Sequence, residues 1–411
     1  MSGTGPTSTP PEPGAPAAPG AVPLSVPEIL GNEWDYIKEC LDTNWVSSAG
    51  PFVDRFEKEL TAYLGADYGV ATSSGTGALH IALLVAGVEP DDEVLVSTLT
   101  FIAPANAIRY AGAYPVFIDA DPDYWQMDPE ILRDFAETQC HWENGRLINK
   151  VSGRRIKAIL PVHILGHPCD MDPILEMARQ YDLAVVEDAT ESLGANYTDR
   201  TVGLLGDISC FSFNGNKLIT TGGGGMVVTD NEEWAHRAQY LTTQAKDDPV
   251  EYVHGEIGYN YRLTNIQAAM GCAQLERLEE FLAAKQSIAS IYRDRLVEIP
   301  GITTMPEAPW ADSAFWLNTV MIDPEVYGAS SRDVLRRMDV CGIQTRPLWQ
   351  PIHLSGAHRD SYCHGCGVAE RLVEQGLSLP SSVGLTPQEQ GRVIDVLLHA
   401  DAKDETGGSG R

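Results

Sequence analysis

The stretch from Glu187 to Thr229 reads EDATESLGANYTDRTVGLLGDISCFSFNGNKLITTGGGGMVVT and decides the fold. The apolar run Leu183–Val186 just before it predicts a buried strand that ends in two carboxylates, which places Asp188 at the edge of a sheet. Lys217 comes about thirty residues later, after a second predicted strand and in a turn of asparagine and glycine. The four glycines Gly222–Gly225 let the backbone pass close to a ligand before the chain enters another strand.

An acid at a sheet edge and a single lysine beyond the next strand are the groups that a pyridoxal phosphate (PLP) site requires. Asp188 would keep the pyridine nitrogen protonated, which makes the ring an electron sink for a substrate carbanion. Lys217 would form a Schiff base with the cofactor aldehyde and, once released, would move a proton between carbons as general base and acid. Taken singly, the two residues could be a solvated strand-end acid and a surface lysine. Together they predict a PLP site.

Two more segments follow predicted strands. Residues 72–77, TSSGTG, join the first strand to a helix, so their amides and hydroxyls surround a helix N-terminus that suits a phosphate. Phe101 follows the second strand and could stack on a planar cofactor. Alone, these could be an ordinary helix cap and a core aromatic. With Asp188 and Lys217 they all fall at carboxyl ends of strands, where open α/β sheets bind ligands.

Up to about residue 265, apolar strand segments alternate with helical segments. The candidate strands are Tyr68–Ala71, Glu93–Ser97, Pro115–Asp119, Ile156–Val162, Leu183–Glu187, Ile208–Phe213 and Gly225–Thr229. Helical segments between most of them predict an α/β fold in which one largely parallel, seven-stranded sheet lies between helices.

Two domains are predicted, because the 411 residues exceed the roughly 250–300 at which a single core stops growing. The large domain spans residues 25–265. A smaller C-terminal α+β domain spans residues 266–401 and begins with a long linking helix over 266–297. Residues 1–24 and 402–411 are predicted to be disordered tails, because their Pro-, Gly- and Ser-rich composition cannot bury enough apolar surface.

The composition, with 43% hydrophobic and 21% charged residues, is typical of a soluble globular protein. No apolar run approaches the ~18 residues of a membrane span, and the N-terminus does not resemble a signal peptide. We therefore expect a cytoplasmic protein with no membrane partner. Lys and Arg number 29 against 57 Asp and Glu, and the net charge of −28 argues against a nucleic acid partner.

The eight cysteines show no disulfide-scaffold spacing, so reduced thiols are expected. The one close pair is Cys363 and Cys366, in the sequence CHGC. It could bind zinc, but a structural zinc site needs four ligands and no second pair lies nearby. We interpret the segment as a solvent-facing loop and predict no metal.

Several longer motifs carry a resemblance to a known family. They are SSGTGALHIAL, TFIAPANAI, PVHILGHPCDM, EDATESLGA, FSFNGNKLITTGGGGMVVT and GYNYRLTNIQAA. From Glu33 to about Gly384, the chain resembles the nucleotide-sugar aminotransferases of the DegT/DnrJ/StrS type, a branch of the fold-type I PLP enzymes. The resemblance implies the fold-type I architecture and a homodimer with shared active sites.

The resemblance also implies a set of cofactor-binding residues, which comprises Gly75, Thr76, Phe101, Asp188, Glu191, Ser212, Lys217 and Asn260. Within it, Ser212 joins the glycine-rich loop at the phosphate, and Asn260 reaches the phosphate of the neighbouring subunit's cofactor. Glu191 stands where most members carry glutamine. An ionised carboxylate there can only accept a hydrogen bond from the ring hydroxyl.

The opening NEWDYIKECLDTNWVSSAGPFVDRFE and the later IQTRPLWQPIH resemble the branch that aminates 4-keto-6-deoxy sugars on nucleotides. The implied substrate contacts are Trp45, Ser47, Arg346 and His353. An arginine suits a diphosphate because its planar fork donates two parallel hydrogen bonds. The alternatives are a core anchor for Trp45, a surface turn for Arg346 and a domain-interface histidine for His353.

By this resemblance, the expected reaction moves an amino group from L-glutamate to a keto carbon of a nucleotide-linked 4-keto-6-deoxy sugar. The mechanism would be ping-pong, through pyridoxamine phosphate. One alternative is a keto-cyclitol aminotransferase of an aminoglycoside-type pathway, which would have no use for a nucleotide. Another is a non-catalytic regulator built on the same fold, which would not retain PLP.

Overall fold

A computed structural model describes residues 20–248 and 250–398. Its helices are α1 (Glu33–Asp42), α2 (Pro51–Leu64), α3 (Gly75–Val85), α4 (Ala103–Tyr110), α5 (Pro129–Asp134), α6 (Met171–Gln180), α7 (Glu232–Thr242), α8 (Asn265–Leu275), α9 (Leu278–Leu296), α10 (Pro324–Tyr327), α11 (Ser331–Val340), α12 (Gly367–Gln375) and α13 (Pro387–Leu398). Among these described helices, none combines the length and the apolar character that crossing a membrane demands.

The strands lie between and after these helices. They are β1 (Tyr68–Thr72), β2 (Glu93–Ser97), β3 (Tyr114–Ile118), β4 (Cys140–Glu143), β5 (Arg146–Asn149), β6 (Arg155–Leu160), β7 (Ala184–Asp188), β8 (Asn196–Tyr197), β9 (Arg200–Thr201), β10 (Ile208–Ser212), β11 (Gly225–Thr229), β12 (Lys246–Asp248), β13 (Val253–His254), β14 (Ile302–Thr304), β15 (Ala311–Asp312), β16 (Asn318–Ile322), β17 (Arg346–Pro347), β18 (Cys363–His364) and β19 (Gly376–Leu379).

The seven strands predicted from the sequence lie side by side in the main sheet, which confirms the predicted fold, although this sheet has ten strands in the described residues and not seven. Their order is β1-β11-β10-β7-β6-β2-β3. The β11 strand runs antiparallel to both of its neighbours, and the other pairings along this path are parallel. The strand β18 extends the sheet by pairing in parallel with β3, and the β4–β5 hairpin joins the side of β6.

Helices cover both faces of this sheet. In β2, Val94 and Val96 face a core that includes α3, α4 and α7. Leu95, between them, faces a second core that includes α6. Successive strand residues point to opposite faces, so a sheet that is covered on both sides needs apolar residues at every position. The continuous apolar runs of the sequence follow from this arrangement.

The C-terminal region forms its own small sheet, in the antiparallel order β14-β16-β19-β17. Its core includes residues of α9, α11 and α13. Val22 is part of the same core, with 0% of its surface exposed, and its N–H donates to Gly342 O at 2.8 Å. Residues 20–24 of the predicted tail therefore contact this C-terminal region, while 1–19 and 402–411 lie outside the described residues.

The predicted linking helix is two helices, α8 and α9, with a break at Glu276 and Arg277. Neither residue is a helix breaker, so the cause is tertiary. The Glu276 carboxylate accepts hydrogen bonds from Tyr36 at 2.6 Å and from Arg55 at 2.9 Å, which lie in α1 and α2. These contacts fix the end of α8 against the N-terminal helices, and sequence periodicity carries no signal of them.

Lys285, within α9, is buried, with 2% of its surface exposed. Its Nζ donates to Trp316 O at 2.8 Å and to Ser381 O. Both acceptors are neutral carbonyls, and no carboxylate of residues 20–248 or 250–398 forms an ion pair with Lys285. Burial lowers the pKa of Lys285 to about 7.

This burial predicts a pH-dependent stability. The pKa of Lys285 is lower in the folded chain than in the unfolded chain, so the unfolded chain binds more protons between the two values and stability rises with pH. We expect the free energy of unfolding of the wild type, relative to Lys285→Met, to increase by about 2 kcal/mol from pH 7 to pH 9. Urea unfolding at both pH values measures it. The same comparison with Lys58→Met, at an exposed position on α2, should show no change.

Candidate active site

The loop after β1 forms the N-terminus of α3. Ser74 caps this helix, because its Oγ accepts from the Gly77 N–H at 3.0 Å. The amides of Gly75 and Thr76 lie in the first turn, where a helix offers no acceptor of its own. Two such donors at the positive end of a helix dipole suit a phosphate group.

Three strand ends converge at Gly75. A Cβ added to this glycine would lie 2.8 Å from Ser212 Cβ and 3.3 Å from Thr190 Cγ2. Ser212 is the last residue of β10, and Thr190 follows β7. Only glycine permits this close approach, so the structure brings Gly75 and Ser212 together as the phosphate site requires.

Asp188 is the last residue of β7 and is 3% exposed. Its Oδ1 accepts from the Thr190 N–H at 3.1 Å. Burial raises the pKa of Asp188, while hydrogen bonds from Thr190 and the positive charge of Lys217 oppose that rise. A buried carboxylate with a raised proton affinity is a strong acceptor, so it can accept a charge-assisted hydrogen bond from a protonated ring nitrogen.

The neighbouring acid, Glu187, has a structural environment instead. His163 Nδ1 accepts from the Cys169 N–H at 3.0 Å, so its Nε2 carries the proton and donates to Glu187 Oε2 at 3.0 Å. The Glu187 carboxylate also accepts three backbone N–H bonds, from Gly203, Leu205 and Gly206. Glu187 thereby holds the loop before β10 and leaves Asp188 as the acid at the site.

Lys217 lies in the turn after β10, where its N–H donates to Asn214 O at 3.0 Å. Its Nζ is 3.2 Å from Glu191 Oε1, and Glu191 Oε2 accepts from the Leu165 N–H at 2.8 Å. Burial raises the pKa of Glu191, and the charge of Lys217 opposes that shift. The lysine side chain is 14% exposed, so the structure excludes the alternative of a surface lysine.

Trp316 is a neighbour of Lys217 that the sequence analysis missed. Lys217 Nζ lies 4.1 Å from the centroid of the Trp316 ring, a cation–π contact. Trp316 Nε1 donates to Asn216 O at 2.7 Å, and its ring stacks on Trp349 at 6.3 Å between centroids and 4° between planes. No local pattern in the sequence indicates that this tryptophan contacts a turn near residue 217.

The Glu191–Lys217 pair predicts a spectroscopic effect. We expect Glu191→Gln to retain PLP but to lower the pH midpoint of its visible absorption by about one unit, because loss of an adjacent negative charge disfavours the protonated nitrogen at Lys217. A pH titration of the holoenzyme spectrum measures the midpoint. The control is Glu89→Gln, at an exposed position far from Glu191 in the sequence. An unchanged midpoint in Glu191→Gln would show that Glu191 is neutral at the site.

Phe101 and Asn260 are both on the surface of the described chain. Phe101 is 55% exposed, which excludes a core aromatic and leaves its ring face accessible. Asn260 is exposed and pairs with Thr243 in an isolated bridge. The next residue, Tyr261, accepts from the Ser73 N–H at 2.7 Å, so the GYNYR segment contacts the phosphate loop of its own chain.

The four predicted substrate residues lie on three segments. Trp45 is 51% exposed, so it is not a core anchor, and Ser47 is also exposed. Asn265 holds both, because its Nδ2 donates to Trp45 O at 2.8 Å and its N–H donates to Ser47 O at 2.6 Å. Arg346 is half-buried in β17 and donates to Thr345 O at 2.8 Å.

His353 is the fourth of these residues, and its side chain is 10% exposed. Its Nδ1 lies 2.7 Å from Thr98 Oγ1, and its Nε2 lies 3.1 Å from Glu370 Oε1. Thr98 follows β2 and Glu370 belongs to α12. The imidazole therefore joins the C-terminal region to the main sheet, which agrees with the interface alternative.

A sequence model of the DegT/DnrJ/EryC1/StrS aminotransferase family matches residues 27–398. The chain belongs to this family. GDP-perosamine synthase of Caulobacter vibrioides is 41% identical over 378 residues, which cover 92% of this chain and 97% of the relative. The putative pyridoxal phosphate-dependent aminotransferase EpsN of Bacillus subtilis is 40% identical over 92% of this chain and 95% of its own. The crystal structure of DesV from S. venezuelae superposes with a TM-score of 0.81 at 31% identity, over 91% of this chain and 95% of that one.

Family membership makes this chain a PLP-dependent aminotransferase. The residues present fit the cofactor, because the structure supplies an anion site at Gly75 and Ser212, a buried acid at Asp188 and a primary amine at Lys217. Glu191 and Trp316 line the lysine. The phosphate, the ring nitrogen and the aldehyde of PLP would thus each have a matching group in the chain.

Proposed function

We propose that this aminotransferase moves an amino group from L-glutamate to the keto carbon of a nucleotide-linked 4-keto-6-deoxy sugar. The observation that carries the substrate class is the near-full-length similarity to GDP-perosamine synthase. A dTDP-3-amino-3,4,6-trideoxy-alpha-D-glucose transaminase of Streptomyces venezuelae, 34% identical over 85% of this chain, supports a nucleotide-linked deoxy sugar, but its name places the amino group at carbon 3. Both relatives are named for sugars on a nucleoside diphosphate.

Residues around Lys217 support the chemistry. PLP, when bound, supplies the electron sink that lets a C–H bond beside nitrogen ionise. Asp188 would hold the ring nitrogen protonated. Lys217 would take the proton from the α-carbon of glutamate and deliver it to the cofactor carbon on the other side of the nitrogen. Water would then release the glutamate skeleton as 2-oxoglutarate. The reverse sequence would place the amino group on the sugar, with the keto oxygen leaving as water. Trp316, whose ring lies 4.1 Å from Lys217 Nζ, would help to hold the lysine side chain in position.

The direct test uses the purified holoenzyme with L-glutamate and a panel of GDP-, UDP- and dTDP-linked 4-keto-6-deoxy sugars. We expect the visible band of the holoenzyme to bleach with glutamate and to return when the correct sugar is added. Mass spectrometry and NMR then identify the amino sugar. Turnover of a keto-cyclitol without any nucleotide, and none of a nucleotide sugar, would favour the cyclitol alternative.

Arg346 offers a test of nucleotide recognition. We expect Arg346→Lys to raise the KM for the nucleotide sugar by about tenfold, because a lysine cannot donate the two parallel hydrogen bonds of the guanidinium to a diphosphate. The half-reaction with glutamate should not change. Stopped-flow spectroscopy separates the two halves, and Arg359→Lys, an exposed residue of the same domain, is the control. An equal loss in both halves would indicate a structural role for Arg346.

We also propose that the protein forms a homodimer in which Asn260 reaches the cofactor of the partner subunit. The exposed position of Asn260 supports it. If sites are shared, a 1:1 mixture of Lys217→Ala and Asn260→Ala subunits should regain about a quarter of wild-type activity, because half of the dimers carry one intact site. Either variant alone should be inactive or weak. A mixture no more active than its parts, with subunit exchange shown by light scattering and native mass spectrometry, would contradict shared sites.

A further inference from the structure

Cys363 and Cys366 lie at the junction between the C-terminal region and the main sheet, not in a solvent-facing loop. Cys363 begins β18, and Cys366 precedes α12. Their Cα atoms are 6.3 Å apart, and the structure joins their sulfurs as a disulfide. Both side chains are half-buried. This placement departs from the loop predicted from the sequence.

His353 completes a cluster with this pair. One ligand atom from each of His353, Cys363 and Cys366 lies within 4.8 Å of the others. Within the described part of the chain, this is the cluster of three or more such side chains that could hold a metal ion. His353 comes from a different segment, ten residues before Cys363, so the spacing of the cysteines alone does not reveal it.

The turn between the two cysteines leaves both sulfurs in a position to act as metal ligands. Gly365 has φ +89°, and a Cβ there would lie 3.2 Å from both Asp119 Cβ and Ile131 Cγ2. The intervening His364 points elsewhere, because its Nε2 is 2.7 Å from Asp134 Oδ2. The turn therefore presents two sulfurs without a competing imidazole of its own.

The surroundings of His353 resemble those of a metal ligand. Its Nδ1 is bonded to Thr98 Oγ1, and such a bond on one ring nitrogen orients the other toward a metal. Its Nε2 is 3.1 Å from Glu370 Oε1. Two ligands bound to a tetrahedral Zn²⁺ at about 2.0–2.1 Å are about 3.3 Å apart, so this spacing suits a shared ion as well as a hydrogen bond.

The remaining cysteines indicate the redox state. All six are free, and five of them are buried. A chain with this many free thiols is typical of a reducing environment, where a CxxC pair more often binds metal than forms a lasting disulfide.

We propose that in the reduced protein the cluster of Cys363, Cys366 and His353 binds one Zn²⁺, and that the Glu370 carboxylate, 3.1 Å from His353 Nε2 but outside that cluster, moves in as the fourth ligand. Two thiols lose their protons as the Zn–S bonds form, so binding releases two protons. The ion would fasten the C-terminal segment to the sheet next to Thr98, whose carbonyl already accepts from the Ile352 N–H at 2.9 Å. Thr98 precedes Phe101, so the site would brace the loop that carries this ring. His353 would then be a zinc ligand and not a sugar contact.

Metal analysis of the full-length holoenzyme tests the proposal. The protein is treated with a phosphine reductant, incubated with ZnCl₂, desalted and measured by plasma mass spectrometry. We expect about one zinc per wild-type chain and less than about a tenth in Cys363→Ser, Cys366→Ser and His353→Gln. Cys341→Ser, which removes an exposed free cysteine, should keep its zinc. Glu370→Gln should bind zinc more weakly, and PLP absorbance shows that each variant is folded.

Cobalt provides a second readout. Co²⁺ in place of Zn²⁺ should give the visible bands of a tetrahedral site and an ultraviolet thiolate charge-transfer band, and both should vanish in Cys363→Ser. Less than about a tenth of a zinc per reduced, folded wild-type chain would overturn the proposal. Equal zinc in reduced wild type and reduced Cys363→Ser would also overturn it.

Discussion

Lys217→Ala is expected to lose amino transfer by at least about 10⁴-fold, because one residue supplies both the covalent attachment of PLP and the proton transfer. The side chain has no substitute at its position. It lies 3.2 Å from Glu191 and 4.1 Å from the Trp316 ring, and the next buried lysine, Lys285, is bonded to carbonyls of another segment. Steady-state kinetics with glutamate and the preferred nucleotide sugar measure the loss, and the visible absorption of the holoenzyme should shift at the same time.

Lys217→Arg is the matched control for this prediction. Arginine keeps a positive charge beside Glu191 and the Trp316 ring, but its guanidinium stays protonated and cannot bond to an aldehyde. It should therefore preserve thermal stability and still be inactive. Turnover of Lys217→Ala within about tenfold of wild type would remove the lysine from the mechanism.

Asp188→Asn is expected to lower kcat by about 10²–10³-fold while PLP stays bound. The amide has nearly the shape of the carboxyl group, but it cannot stabilise a protonated ring nitrogen by a charge-assisted bond. Binding should survive because the phosphate site at Gly75 and Ser212 belongs to other strand ends. Single-turnover kinetics of the glutamate half-reaction measure the chemical step, and the phosphate content of the desalted protein measures retention.

Asp182→Asn controls for the loss of one negative charge on this acidic chain. Asp182 is exposed and lies just before β7, whereas Asp188 ends the same strand. The control should keep wild-type kcat. An Asp188→Asn enzyme with normal kcat would mean that the ring nitrogen is not held by this acid.

Much of the fold could be predicted from the sequence because its strands are buried on both faces. Such strands need apolar residues at every position, and that requirement leaves unbroken runs such as Leu183–Val186. The expectation that Asp188 and Lys217 lie near one another followed from the same logic, whereas Glu191, Ser212 and Asn260 were implied by the family resemblance. Parallel strands bring their carboxyl ends to one edge, so the order of Asp188 and Lys217 along the chain already indicated their proximity.

The remaining features depend on contacts between segments far apart in the chain. Trp316 reaches Lys217 from about a hundred residues away, and Lys285 holds the backbone of Trp316 in place. The break between α8 and α9 is set by hydrogen bonds to Glu276 from the first two helices. Val22 is buried in the core of the C-terminal region, although the composition of the surrounding sequence predicts a disordered tail. None of these contacts leaves a periodic signal in the local sequence.

The central claim is that Lys217 is the residue to which PLP is attached. Reduction of the holoenzyme with borohydride, followed by proteolysis and mass spectrometry, tests it most directly. We expect a phosphopyridoxyl group on the peptide that contains FSFNGNK, at Lys217 and on no other lysine. A label on Lys285, the buried lysine whose pKa is lowered to about 7, would contradict it.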